Sequence, residues 1–220
     1  MKRSVALLQL VGYVFTVVAG SLLHFLYGWT GGSRIAALVG SVNEATFEHM
    51  KLFFFPAFLY ALFERRYFRE DGAYWCVKLR GIILGTVLIP VLFYTANGCF
   101  GHTPDYVNIA IFFVAAAGAF LLETRLFRRG GARCQSDGGA FLVLCSFAVL
   151  FWVFTFCPPR IPLFRDPVTG GLRRRINKKR GGRAPSFFAL YFSESRFSIS
   201  EISSFDVCSA AARSFADTDR

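Results

Sequence analysis

The stretch NEATFEHMKLFFFPAFLYALF, residues 43–63, places polar and ionisable side chains directly against an aromatic and aliphatic run. The apolar part, residues 52–63, is only 12 residues long, whereas a helix needs about 20 residues to cross a bilayer. A spanning helix here must therefore include the polar turns that precede the run. The stretch predicts a membrane helix whose first two turns carry Glu48, His49 and Lys51 at the membrane boundary.

The rest of the chain has the composition of an integral membrane protein. Of its 220 residues, 54% are hydrophobic and 17% are aromatic, and the mean hydropathy is +0.44, well outside the usual balance of a soluble domain. Backbone groups in lipid can satisfy their hydrogen bonds only as helices in segments of this kind. We predict an all-α, polytopic integral membrane protein with about five transmembrane helices, at residues 5–25, 46–63, 81–96, 106–126 and 140–156.

The first of these segments also resembles a signal peptide, because Lys2 and Arg3 precede an apolar core. Apolar character continues past the small residues at 19–21 as far as Tyr27, which gives the length of a spanning helix. We therefore interpret the segment as a retained first helix.

Basic residues in the connections predict the orientation. They cluster before the first segment and in the second and fourth connections, and the other connections are poor in them. By the positive-inside rule, the N-terminus is cytoplasmic and the protein is a multi-pass protein of the cell membrane. The residues that carry this prediction are Lys2, Arg3, Arg65, Arg66, Arg69, Lys78, Arg80, Arg125, Arg128, Arg129 and Arg133.

A change of composition divides the chain into a transmembrane domain, residues 1–170, and a basic, Ser-rich tail, residues 171–220. The tail opens with LRRRINKKRGGR, in which 7 of 12 residues are basic. We predict that it is disordered, and its charge conflicts with an outer location. We interpret it as foreign to the membrane domain, such as the product of a shifted reading frame. No nucleic-acid-reading module accompanies the charge, so no specific nucleic-acid partner is predicted.

The six cysteines show no CxxC pair and lie mostly in or beside apolar runs. We interpret them as small hydrophobic residues rather than as a disulfide framework or a zinc ribbon. No cofactor is predicted.

Polar residues gather on the predicted outer side. All three histidines fall there, at helix ends. At 100° per residue, Glu44, Glu48 and Lys51 share one helix face, and His49 points about 100° away from Glu48. The candidate polar cluster is Asn43, Glu44, Glu48, His49, Lys51, His24, His102, Asp105 and Asp166.

Two interpretations of this cluster stay open. In one it lines a functional cavity, because a charge at membrane depth costs about 2.5–3.5 kcal/mol unless it faces protein or water. In the other, Asn43 caps the helix, Glu44 faces the helix dipole, and Glu48 pairs with a snorkelling Lys51. No HExxH spacing identifies a metal site, and the metal candidates are His24, His49, His102 and Glu48.

The third segment contains two closely spaced glycines, and the fourth contains a glutamate. Gly81 and Gly85 form a small-xxx-small pair for close helix contact. Glu123 lies near the inner end of the fourth segment, where we predict a boundary ion pair with Arg125, Arg128 and Arg129.

Four segments together resemble an uncharacterised bacterial family of small polytopic membrane proteins, a domain of unknown function. They are GSLLHFLYGWTGG, VNEATFEHMKLFFFP, KLRGIILGTVLIPVLFYTANGCFGHTPDYVNIAIFF and FTFCPPRIPLFRDPVTG, and the resemblance covers about residues 10–170. The family motif is similar to Asn-Glu-Ser-Thr-Trp-Glu-His-x-Lys, with Ala45 here for Ser and Phe47 for Trp. The resemblance implies an integral membrane protein and implies no activity.

These observations favour a component that binds or transports a small solute or ion, because ionisable groups line one membrane face. The alternatives are a membrane-embedded, metal-dependent hydrolase with Glu44 or Glu48 as general base, and a noncatalytic subunit that docks a membrane-protein partner. The sequence identifies no catalytic residue and favours a non-enzymatic role. The lipid bilayer is the one partner that every alternative requires.

Overall fold

The computed structural model describes residues 2–68, 72–101, 104–130 and 136–165. Those residues form helices and connections and no strand, which confirms the all-α fold class. The predicted tail, residues 171–220, lies outside the described residues. The helices are α1 (Lys2–Trp29), α2 (Arg34–Val39), α3 (Thr46–Glu64), α4 (Tyr74–Phe100), α5 (Asp105–Arg128) and α6 (Asp137–Phe156), with short 3-10 helices at Arg65–Phe68 and Pro162–Phe164.

Four of these helices, α1, α4, α5 and α6, are long and apolar enough to cross a membrane. The remaining predicted span is α3, which has 19 residues and carries Glu48, Lys51 and Glu64. It packs against all four of the others. Its polar side chains therefore face protein rather than lipid, which is the condition for ionisable groups at membrane depth. The chain forms a bundle of about five helices with α3 in contact with every other one.

Successive long helices run in opposite directions, so the bundle has two distinct ends. We call them the Glu44 end, where α1, α4 and α6 finish and α3 begins, and the Glu64 end, where α1, α4 and α6 begin and α3 finishes. Side-chain contacts tie each end together. They are His24 with Glu44 and Lys51 with Thr155 at the first, and Gln9 with Glu64, Lys78 with Glu123 and Cys76 with Asp137 at the second.

The core is largely aromatic and centres on α3. Phe53 and Phe54 are completely buried, and Phe54 packs on Phe151 of α6 with 4.9 Å between ring centroids. Phe47 in the first turn of α3 packs on Phe164, with centroids 4.3 Å apart. Phe164 belongs to the proline-rich segment that follows α6, where one 3-10 turn forms. That turn buries an aromatic side chain against α3 and holds the chain after α6 on the bundle.

The predicted close contact at Gly81 and Gly85 is present. A Cβ at Gly85 would clash with the Phe53 ring, and one at Gly81 would clash with the Glu123 carboxylate. Glycine lets α4 approach α3 and α5 to a distance that no larger residue permits.

A third glycine provides a test of this packing. A Cβ on Gly20 of α1 would lie 2.7 Å from the backbone oxygen of Leu52, so we expect Gly20→Ala to lower the free energy of unfolding by about 1–3 kcal/mol. Gly28 is the matched control on the same helix, with nothing within 4 Å. Gly28→Ala should be neutral or slightly stabilising, because alanine favours the helix. Reversible unfolding in mixed micelles measures both, and equal effects would contradict the close contact of α1 with α3.

The structure corrects two predictions about local chemistry. Cys76 and Cys157 are each disulfide-bonded, but not to each other, because they lie at opposite ends of the bundle. Cys99 and Cys145 are free thiols. The interpretation of all six cysteines as small hydrophobic residues is therefore wrong for Cys76 and Cys157. Disulfide pairing depends on the fold, and no spacing motif in the sequence indicates it. The second correction concerns α4, which begins at Tyr74 rather than at residue 81. Lys78, which we assigned to a connection, therefore lies inside the helix.

Candidate functional site

The Glu44 end brings His24, Glu44 and His49 together. His24 lies near the end of α1, His49 lies in the first turn of α3, and Glu44 lies in the connection just before it. Glu44 Oε2 is 3.5 Å from His24 Nε2 and 3.8 Å from His49 Nε2. One ligand atom from each residue lies within 4.8 Å of the other two. These side chains form the candidate site.

The local fold explains why Glu44 reaches the histidines. The N-cap residue of α3 is Ala45, so Asn43 does not cap the helix as one of the two interpretations required. The Asn43 side chain instead accepts a hydrogen bond from the Ala45 N–H at 3.1 Å, and this turn delays the helix. Glu44 therefore stands outside the helix, and the predicted face shared by Glu44, Glu48 and Lys51 is wrong. The Glu44 carboxylate instead contacts His24 of α1.

A backbone contact sets the orientation of His49. Its Nδ1 is 3.2 Å from the carbonyl oxygen of Ala45. A carbonyl oxygen only accepts, so Nδ1 carries the hydrogen and donates it. Nε2 then keeps its lone pair and lies 3.8 Å from Glu44 Oε2. Metal-ligating histidines commonly show this arrangement, in which a backbone carbonyl holds the ring and selects the tautomer.

The distances between the ligand atoms of these three residues are close to those around a bound metal ion. Ligand atoms at about 2.0–2.1 Å from a tetrahedral Zn²⁺ stand about 3.3–3.4 Å apart. The two distances to Glu44 Oε2, 3.5 and 3.8 Å, exceed that spacing by no more than about half an ångström. The two histidine ligand atoms lie within 4.8 Å of each other, so the imidazoles must move closer together to bind one ion. The side chains of His24, Glu44 and His49 are 31%, 48% and 24% exposed, so each reaches the protein surface in part.

Glu48 and Lys51 form a separate, buried contact beside the site. Lys51 Nζ is completely buried and lies 2.8 Å from Glu48 Oε2. It also donates to the Ala37 carbonyl at 2.9 Å and to Thr155 Oγ1 at 3.0 Å, while Glu48 accepts from the Val42 N–H at 3.1 Å. The predicted pair is confirmed, but Lys51 is buried rather than snorkelling. The pair links α2, α3 and α6 and supports the connection that carries Glu44.

The remaining predicted site residues cannot be placed beside these. His102 and Asp166 lie outside the described residues, as does the Asp105 side chain, although α5 begins at Asp105. Of the metal candidates, His24 and His49 converge. The carboxylate that joins them is Glu44, not Glu48.

A second polar cluster, at the Glu64 end, was missed by sequence reasoning. Lys78 of α4 pairs with Glu64 of α3, and its Nζ lies 2.6 Å from Glu123 Oε2 of α5. Gln9 Nε2 of α1 donates to Glu64 Oε1 at 2.8 Å. We call Glu64, Lys78 and Glu123 the buried triad; each is at most 1% exposed. The predicted pairing of Glu123 with nearby arginines is therefore wrong, because its carboxylate points inward to Lys78.

Comparison with known families places the chain. The family model described as Family of unknown function (DUF6512) matches residues 3–173. The chain belongs to this family. The DUF6512 match includes both the candidate site and the buried triad, and it confirms the resemblance to a family of unknown function. The bacterial origin and the family motif stay predictions. No curated protein and no solved structure matches the chain.

Proposed function

We propose that this DUF6512 chain is a multi-pass protein of the cell membrane that binds a divalent transition-metal ion through His24, Glu44 and His49. The observation that carries the proposal is the convergence of their ligand atoms within 4.8 Å. The residues come from α1, α3 and the connection between α2 and α3, so the site exists only in the folded bundle. The sequence predicted a small solute or ion as the ligand, and the proposal narrows that ligand to a divalent transition-metal ion.

The donor set supports that class of ion. Two imidazole nitrogens and one carboxylate oxygen suit Zn²⁺ and its neighbours among the transition metals, whereas Ca²⁺ and Mg²⁺ take mainly oxygen ligands. With three protein ligands, a tetrahedral ion keeps its fourth coordination position open for water or for another small ligand. Partial exposure of all three side chains supports exchange of the ion with the adjacent solution.

Binding or transport is better supported than hydrolysis. A metal-dependent hydrolase needs a carboxylate that takes a proton from the metal-bound water. Glu44 is the metal-ligating carboxylate in our proposal, and Glu48 is engaged by Lys51 and by the Val42 N–H. Neither is disposed to act as that base, so we propose a non-enzymatic role.

Charge supports a location of the site on the outer face. Basic residues concentrate at the Glu64 end, including Arg65, Arg66, Arg125 and Arg128. The positive-inside rule therefore favours a cytoplasmic Glu64 end and an outer Glu44 end.

Zinc binding by the purified full chain tests the proposal. After removal of metal by chelation, equilibrium dialysis against Zn²⁺ should give about one ion per chain at a three-ligand site. Glu44→Gln should weaken binding, because a neutral amide is a poor zinc ligand. Asp137→Asn makes the same chemical change at the Glu64 end, where Asp137 accepts from the Cys76 N–H, and it should bind as the unmodified chain does. Equal binding by the unmodified chain and Glu44→Gln would refute the site.

A further inference from the structure

The buried triad carries more negative than positive charge. Lys78 is the one ammonium group that contacts the two carboxylates among the described residues. If Glu64 and Glu123 were both ionised, the triad would hold one uncompensated negative charge at a site that water does not reach. Such groups gain a proton rather than remain charged, because burying an isolated charge is far more costly than neutralising it.

The surroundings supply little further compensation. Lys78 Nζ lies 5.6–5.8 Å from the ring centroids of Tyr60, Tyr74, Phe120 and Phe127. The titratable and charged groups that face the carboxylates are Tyr60 from α3 and Tyr74 and Lys78 from α4. The Arg65 guanidinium carbon lies 5.3 Å from the centroid of the Tyr74 ring. Both tyrosines are ordinarily neutral, so they leave the charge unbalanced.

An unsatisfied acceptor gives an independent sign of a missing donor. Gln9 is 2% exposed, and its Nε2 donates to Glu64. Its Oε1 is buried and makes no hydrogen bond with any described residue. Buried acceptors are rarely left in this state. A protonated carboxyl group is a hydrogen-bond donor, and Glu64 already contacts the amide group of Gln9.

We propose that the buried triad is a proton-binding site that holds one exchangeable proton on its two carboxylates. With that proton, the triad is neutral: one carboxylate balances Lys78 and the other is a carboxylic acid. The proton belongs to the coupled pair rather than to one residue. Its release to water leaves a carboxylate and a net negative triad, with no other reactant. The triad joins α3, α4 and α5 and contacts α1 through Gln9, so it links the packing of the Glu64 end to pH.

Infrared spectroscopy tests this directly. The full chain is measured in a maltoside detergent, which has no ester carbonyl, at neutral pH in H₂O and D₂O. We expect a carboxylic acid C=O band that shifts to lower frequency in D₂O. Glu64→Gln and Glu123→Gln should each abolish it, because the remaining carboxylate then ionises against Lys78. Asp137→Asn should retain it.

Two results would overturn the proposal. The first is the absence of a carboxylic acid band from the unmodified chain, which requires no variant to fold. The second is survival of the band in either glutamine variant, which would show that the proton is not held jointly by the two carboxylates. Zinc is absent throughout, so neither result bears on metal binding at the Glu44 end.

Discussion

Replacement of Lys78 by methionine is expected to lower the free energy of unfolding by about 3–5 kcal/mol, the usual cost of removing one partner from a buried ion pair. Methionine has nearly the volume of the lysine stem, so the loss comes mainly from the charge. Glu64 and Glu123 would then face each other without the ammonium that lies 2.6 Å from Glu123 Oε2. Reversible unfolding in mixed micelles at neutral pH measures the difference in the free energy of unfolding between Lys78→Met and the unmodified chain.

Arg66→Met is the control for this measurement. Arg66 is an exposed basic residue at the same end, and its guanidinium lies 3.6 Å from the centroid of the Phe63 ring. Its loss should cost less than about 1 kcal/mol. If Arg66→Met and Lys78→Met destabilise the chain equally, the triad does not hold the bundle as described.

Replacement of His49 by alanine is expected to weaken zinc binding by at least about 100-fold, since even the loss of a residue that only orients a ligand costs about 10–100-fold. His49 supplies one of three ligand atoms, and the Ala45 carbonyl orients its ring. Competition with a chromophoric chelator measures the dissociation constant of the full chain in detergent.

Met50→Ala is the control for His49→Ala. Met50 follows His49 on α3 and packs against the hydrophobic core, so its truncation should reduce stability while zinc affinity stays within a few fold. A comparable loss of affinity in both variants would mean that the start of α3, rather than the imidazole, determines binding.

Most of the fold was predictable because the bilayer imposes it. Runs of apolar residues long enough to cross lipid have one stable backbone state, so α1, α4, α5 and α6 could be anticipated from length and hydropathy. The inclusion of α3 in the bundle followed from the same comparison of lengths. Its apolar run is too short to cross the bilayer unless the preceding polar turns belong to the helix. The extent of α4 did not follow, since Lys78 is expensive in lipid and is tolerated only where Glu64 and Glu123 meet it.

The candidate site was predicted in part. The common end of His24 and His49 followed from the alternation of helix direction, which places the end of one long helix beside the start of the next long helix. The role of Glu44 did not follow, because it depends on the turn in which Asn43 binds the Ala45 N–H and moves the helix start to Thr46. The buried triad was missed for a different reason. Its members are 14 and 45 residues apart in sequence, and only tertiary packing shows that Glu123 turns inward rather than toward the adjacent arginines.

X-ray absorption at the zinc edge of the zinc-loaded full chain shows which atoms bind the ion. We expect a first shell of two imidazole nitrogens at about 2.0–2.1 Å with one or two oxygen ligands, together with the outer-shell scattering of two imidazole rings. The signal of one ring should disappear in His49→Ala. A shell of oxygen atoms alone, with no imidazole scattering in the unmodified chain, would contradict the assignment of His24, Glu44 and His49 as a metal site.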